Sequence, residues 1–523
     1  MAPASAAASA CVLGVDIGTQ STKALLVDGS GRILARHSHA YQPDTPRALW
    51  AEQEAGVWLE AVVACIAGCM AKAEAPAGEV AGLCISSLYG GSGIPVDAGM
   101  QPLHPCLIWM DRRAGAEVAQ VRATQDLDRL FDITGNGVDS YYGFTKMLWL
   151  RENRPEVWAR TRHLLPPNAW VIQQLTGALA VDHSSAGNIG GVYDLAARTW
   201  SGEMLDALGI PRSMMPERLV ESSAVVGTLL PEWASRTGLR AGTPVVAGGV
   251  DAAVATFAAG ATQAGQHVAM IGTSMCWGSI AGTTDARNGL IAMPHVFNGL
   301  HDLYVFGGAI TAGASVSWFQ REFCRDGASL PALDAEAAGV PPGSDGLVFL
   351  PYLMGERSPV WDDRASGAFV GLGLPHTRAH LYRAVLEGVT YALQHNIEAG
   401  RLGMQALADR LIVVGGAAKS DLWMQVIADV TGYPVRTIGE DVEAAMGAAL
   451  LAGLGTGLVT AADAARGWVT LVDRAQPRAK AEAAYGHSFA IYKDLYPALR
   501  SAMHRLGASS GRAPDEAAAA EAG

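Results

Sequence analysis

Long apolar runs are missing from this 523-residue chain. Hydrophobic stretches are short and interrupted by Gly or charge, so no transmembrane helix is expected. Charge is scarce as well: 17% of residues are charged, and 38 Lys plus Arg against 50 Asp plus Glu leave a net −12. No Lys/Arg cluster stands out, and a phosphodiester backbone binds through such clusters, so a nucleic-acid partner is not expected. The opening MAPASAAASA has neither a basic region nor an apolar core, and a β-run begins at Cys11, which leaves no room for a cleavable signal. Cysteines number only seven and are scattered. Cys65 and Cys69 share the apolar stripe of Trp58, Val62 and Ile66, which marks them as core thiols rather than a metal pair and points to the reducing cytoplasm. Neither a GxxxxGK[ST] loop nor a GxGxxG opening a βαβ unit is found, so the common phosphate-binding loops are excluded.

What the chain does have is one motif twice. VLGVDIGTQSTKALLVD (Val12 to Asp28) and HVAMIGTSMCWGSIAG (His267 to Gly282) both run apolar strand, turn, apolar strand around Ile-Gly-Thr. Such a turn points successive backbone N–H groups and hydroxyls into one concavity, an anion-binding nest. Two nests suggest a duplicated domain gripping a polyphosphate from both sides. An acidic protein binds phosphate when Mg²⁺ and backbone amides face it.

The rest of the pattern is duplicated too. β-Runs at Arg32–Tyr41 and Val80–Ser86 flank a helix from Glu54 to Ala73. PVVAGG (Pro244 to Gly249) leads straight into the helical DAAVATFAAG, and LIVVGG (Leu411 to Gly416) leads into KSDLWMQVIADVTG. Alternating elements in a repeated scheme predict two α/β domains around a central cleft. The expected division is a disordered tail over 1–10, an N-terminal domain over 11–254 and a C-terminal domain over 255–460. A helical extension follows over 461–506, with Tyr485, Phe489, Tyr492 and Leu495 at helical spacing, then a disordered tail over 507–523. His37 and His39 alternate on one strand, which reads as an exposed strand rather than a metal site.

The sequence resembles the FGGY carbohydrate kinases, with the xylulokinases as the nearest branch. The resemblance is carried by GAFVGLGLPHTRAHLYRAVLEG (Gly367 to Gly388) and by GFTKMLWLREN (Gly143 to Asn153) with Lys146 and Trp149. WAEQEAGVW (Trp50 to Trp58), IWMDRRAGAE (Ile108 to Glu117), GGVDAA (Gly248 to Ala253), FLPYLMGERSP (Phe349 to Pro359) and VVGGAAKSDLWMQVIADVTG (Val413 to Gly432) add to it. It implies an actin-like (RNase H-like) ATPase fold and transfer of the γ-phosphoryl of MgATP to a hydroxyl of an open-chain ketose or polyol. A homodimer is what it suggests for assembly.

The resemblance also implies roles. Asp251 would be the general base, Asp16 the Mg²⁺ ligand, and Thr19, Gln20, Ser21 and Lys23 the first phosphate contacts. Gly272, Thr273 and Gly313 would face the phosphates from the other side, with Gly415, Gly416 and Ser420 at the adenosine. Leu88, Tyr89, Asp111 and Arg113, with Asp251, would line the sugar pocket. Read without the resemblance, Asp251 is a helix-start Asp, Asp16 satisfies turn amides, Ser420 is a helix cap, and Asp111 and Arg113 are solvated loop. The sequence departs from the xylulokinases in a shortening before Lys146 and, where it matters, at Ser86–Gly93: their Gln-Met-His-Gly is here Ser87-Leu88-Tyr89-Gly90, followed by an apparent two-residue insertion. Tyr for His keeps a ring and a donor but loses a titratable imidazole. D-Xylulose is the first expected acceptor; L-xylulose, ribulose, a deoxyketose or a tetritol are alternatives. An actin-like ATPase without a sugar acceptor and a non-catalytic sugar sensor are the competing classes.

Overall fold

The computed structural model describes residues 10–73, 79–283, 288–403, 406–439 and 444–509. Most of both expected tails lies outside them. Two mixed sheets organise the chain. In the first, Ile33–Ala40, Ser21–Asp28 and Cys11–Ile17 run antiparallel, and Val80–Ser87 and Pro244–Val246 continue parallel from Cys11–Ile17 to an antiparallel edge at Val225–Thr228. In the second, Leu303–Gly307, Met275–Ala281 and His267–Ile271 run antiparallel, and Leu411–Val414 and Val435–Ile438 continue parallel. The repeat seen in the sequence is therefore a repeat of topology.

Each hairpin forms because both its strands are apolar and the turn between them is Gly and hydroxyl residues. Leu13, Val15 and Ile17 share a core with Trp58, Val62 and Ile66 of the helix Ala55–Ala73. Cys65 and Cys69 donate to the carbonyls of Thr22 and Ala24 at 3.3 Å each, and burial pushes the thiols up to about 12 and about 11. All seven cysteines are free. This helix is long and apolar enough to cross a membrane, yet more than half of it is buried inside the protein.

Two features were not expected. The segment after residue 460 is not purely helical: Leu471–Ala475 forms an edge strand on Val435–Ile438 before the final helix Ala479–Ser509. And the helix Ala444–Thr456, which belongs to the second half in chain order, lies on Cys11–Ile17 and Val80–Ser87 of the first sheet and against the helix Asp251–Ala258. Glycines make this crossing possible. A Cβ on Gly447 would collide with the Val254 carbonyl, and one on Gly14 with that of Ala445.

Candidate active site

The carboxyl ends of the parallel strands converge on one point. Val80–Ser87 runs on so that the Leu88 N–H donates to Ile17 O at 2.8 Å and the Ser87 N–H to Gly249 O at 3.0 Å. Strand ends of an α/β sheet are where ligands bind, because the connections there open a crevice. Asp16 and Asp251 are both brought to it. Asp16 accepts from Ser86 Oγ at 2.8 Å. Asp251 opens its helix and accepts from the Ala252 N–H at 2.7 Å. Burial, then the neighbouring Asp16 carboxylate, push Asp251 up to about 7. A carboxyl poised there takes up a proton near neutrality, as a general base must.

A buried polar network holds the approach to Asp251. Asn168 Nδ2 donates to Asp182 Oδ2 and to Ala247 O at 3.0 and 3.1 Å. Ser184 Oγ donates to Asp182 Oδ1 at 2.5 Å and accepts from the Val250 N–H at 3.1 Å. Sequence reasoning missed all three residues, since they are far from Asp251 in the chain and belong to no motif.

The first nest turns at Gly18, whose N–H reaches Ser21 O at 3.0 Å and whose carbonyl accepts from Tyr41 OH at 2.7 Å. Thr19 Oγ1 accepts from Trp109 Nε1 at 3.0 Å, and Gln20 is exposed at the tip. Lys23 pairs directly with Asp16 across the hairpin, so the two share a sheet face. Ser21 starts the second strand at its half-buried edge.

The second nest is backed by a helix N-terminus. The Gly313 N–H donates to Gly272 O at 2.9 Å, and those of Ala312 and Ala314 to Thr273 O at 2.9 and 3.0 Å. A Cβ on Gly313 would strike the Gly272 carbonyl, which is why a glycine opens the helix Gly313–Phe323. Gly272, Thr273, Gly313, Gly416 and Ser420 all line one cavity of about 710 Å³, with Tyr382 and Trp423 as aromatic walls. Gly415 adjoins it at φ +92°, where a Cβ would crowd Ile271 O. Ser420 caps the helix Asp421–Thr431 by accepting from the Trp423 N–H at 3.0 Å and faces the cavity as well. Six of the ten expected nucleotide contacts are thus gathered on the second domain and four on the first nest.

On the acceptor side the outcome is mixed. Tyr89 is 3% exposed with its hydroxyl unpartnered. Leu88 does not face it: its side chain joins the core behind the sheet with Trp58, Ile94 and Ile108. Both residues follow the end of the strand Val80–Ser87 and enter different clusters, Tyr89 joining Leu107, Tyr141 and Tyr142. Asp111 and Arg113 are braces. Asp111 Oδ2 accepts from the Ala51 N–H at 2.7 Å and from Arg113 Nε at 2.8 Å. Arg113 also pairs with Glu52 at 2.6 Å and lies 3.7 Å over the Trp50 ring. Their polar groups are used within the protein, apart from Arg113 Nη1, which is buried without a partner.

Four residues that no sequence argument assigned stand here as well: Arg357, Trp109, Tyr141 and Asn188. Arg357 Cζ is 5.9 Å from the ring centres of both Trp109 and Tyr141. Asn188 lies beside the Tyr141 phenol, within hydrogen-bonding reach of it. Trp109 and Arg357 fell inside matched stretches, but a stretch carries no role by itself.

Among the described residues no group of three His, Cys, Asp or Glu is assembled. A divalent cation would therefore take one or two carboxylates, Asp16 first, and complete its shell with phosphate oxygens and water, the usual habit of Mg²⁺. The mutual repulsion of Asp16 and Asp251 fits that demand.

Residues 11–258 match the N-terminal domain of the FGGY family of carbohydrate kinases, and residues 267–456 match its C-terminal domain. The xylulose kinase of Bacillus subtilis is 32% identical over 491 residues, which is 93% of this chain and 96% of that protein. The crystal structure of xylulose kinase from Rhodospirillum rubrum superposes with a TM-score of 0.86 at 30% identity, over 94% of this chain and all of the other. That of gluconate kinase from Lactobacillus acidophilus reaches 0.88 at 25%, over 95% of this chain and 99% of the other.

Proposed function

This chain belongs to the FGGY family of carbohydrate kinases, and we propose that it transfers the γ-phosphoryl of MgATP to a terminal hydroxyl of a ketopentose, D-xylulose first. The observation that carries this reading is Asp251, held up to about 7 beside Asp16 at the point where the sheet of the first nest opens onto the cleft. The acceptor oxygen bonds to the γ-phosphorus, the bond to the β–γ bridging oxygen breaks, ADP departs, and the hydroxyl proton passes to Asp251. Most of the rate comes from alignment and charge neutralisation rather than covalent work by the protein. A bound Mg²⁺ would supply charge neutralisation on the phosphates. Asp16 and Ser86 would fix the geometry there, the cavity of Thr273, Gly416 and Ser420 would take the nucleotide, and Tyr89 would face the sugar. Free, largely buried thiols suit the reducing cytoplasm.

A second reading is an aldonate such as gluconate as acceptor. Arg357 favours it, as a cation in the cleft that suits a carboxylate, and so does the likeness to gluconate kinase. The test is coupled ADP release with MgATP across ketopentoses, ketohexoses, deoxyketoses, polyols and aldonates. Highest kcat/KM with D-xylulose supports the first reading; gluconate as the one good acceptor replaces it with the second. ATP binding without acceptor-stimulated turnover would leave a sugar sensor.

A further inference from the structure

We propose that Arg357 is a catalytic residue of the phosphoryl transfer and that the C-terminal helix positions it through Asp362. The proposal rests on the first reading above, in which the acceptor brings no carboxylate for Arg357 to bind.

The guanidinium sits between the two nests. On one side it stands over Trp109, whose indole is bonded to Thr19 of the first turn. On the other, a Cβ on Gly308 would lie 2.9 Å from Arg357 Nη2 and would also strike the carbonyl of Met275, the residue that follows the second turn. Arg357 is 8% exposed, its charge acts on the Asp251 and Glu356 carboxyls, and its Nε has no hydrogen-bond partner. Burying a cation is costly, and a planar fork of donors is shaped for an oxyanion. The anion that belongs between two phosphate nests beside a general base is the transferring phosphoryl group. Arg357 forms and breaks no covalent bond; it donates hydrogen bonds to oxygens whose charge redistributes as the phosphorus changes partners.

Its loop is closed at the base. The Glu356 N–H donates to Asp362 O at 2.8 Å and the Asp362 N–H to Glu356 O at 3.0 Å, while the Trp361 N–H reaches Arg357 O at 2.7 Å. Asp362 Oδ2 then accepts from Tyr496 OH at 2.5 Å and lies 2.6 Å from His504 Nε2, both on the final helix, with Arg500 at 3.7 Å. That helix lies beyond residue 456, where the family match ends.

The experiment compares Arg357→Ala, Arg357→Lys and Tyr496→Phe/His504→Gln in the full chain. It reads kcat at saturating acceptor, basal ATP hydrolysis without acceptor, and ATP affinity by calorimetry. Arg357→Ala should lower kcat and basal hydrolysis together by roughly 10²- to 10³-fold, with ATP affinity changed by less than about threefold. Added guanidinium ion should restore part of the rate. Tyr496→Phe/His504→Gln should lower kcat about tenfold in the native background and not at all on top of Arg357→Ala, since a positioning pair has nothing left to position. If Arg357→Ala fails to fold, Arg357→Lys carries the test, because it keeps the charge and loses the fork. A rise in acceptor KM alone, or unchanged basal hydrolysis, overturns the catalytic role and makes Arg357 an acceptor ligand. A helix effect that persists without Arg357 overturns the positioning. Failure of the kinase reading shows separately, as a native protein that no acceptor stimulates.

Discussion

Gly14, on the strand that leads to Asp16, has its Cα face pressed against the backbone of Ala445, a residue more than four hundred positions later in the chain. A Cβ there would fall within contact of the Ala445 carbonyl and of the Ala449 amide. The helix Ala444–Thr456 thereby ties the two halves together at the floor of the cleft. Gly14→Ala should cost about 3 kcal/mol or more, since the obstacle is backbone and cannot rotate away. Thermal unfolding measures the loss, and MgATP affinity should fall with it because Asp16 is displaced. Unchanged stability would mean that the helix shifts freely.

Asp251→Asn keeps the shape and removes the proton acceptor. We expect kcat to fall by roughly 10²- to 10⁴-fold while calorimetric ATP binding stays near the native value. A native kcat would remove Asp251 from the mechanism.

The pH profile follows from the same carboxyl. Asp251 is raised from the ordinary Asp value of 3.8 to about 7, by burial first and then by Asp16. A general base works only when deprotonated, so kcat/KM should rise with pH and level off above about 7. The sign for stability is opposite. A folded-state value above the unfolded one means the native state holds the proton more tightly, so this group disfavours folding increasingly as pH climbs from about 4 to about 7. Mg²⁺ held by Asp16 would neutralise it, so the limb in kcat should then lie at lower pH than that in kcat/KM. Coincident limbs at all Mg²⁺ concentrations would separate Asp16 from the metal.

Tyr89 carries a buried hydroxyl with no partner. Tyr89→Phe removes an unsatisfied polar group, so the acceptor-free protein should gain about 1 kcal/mol. The acceptor KM should rise about tenfold, because a ligand hydroxyl loses its partner. A gain in stability with an unchanged KM would assign that hydroxyl to a water molecule.

Much of the site was legible because it is built from local chemistry. The nests, the Gly-Gly–helix junctions and the cap at Ser420 are encoded within a few residues of one another, by glycines where backbone must approach and by hydroxyls where amides need partners. The motif names Leu88 and Tyr89 together, and the structure sends their side chains into different clusters. Without the resemblance, Asp111 and Arg113 read as loop charges, because their partners Ala51, Glu52 and Trp50 lie some sixty positions earlier.

The sequence by itself determined the element types, the duplication and the residue classes at each turn, all of which follow from periodicity and backbone conformation over short spans. Only the tertiary structure decided which unpaired groups meet. Asp251 acquires its raised affinity for a proton from burial and from Asp16, and Arg357 stands between two nests that lie far apart in the chain. The crossing of Ala444–Thr456 onto the first sheet was likewise invisible, because an apolar helix records that it must be buried and not against what. Desolvation and charge–charge interaction depend on distance in space, and no pattern along the chain fixes that distance.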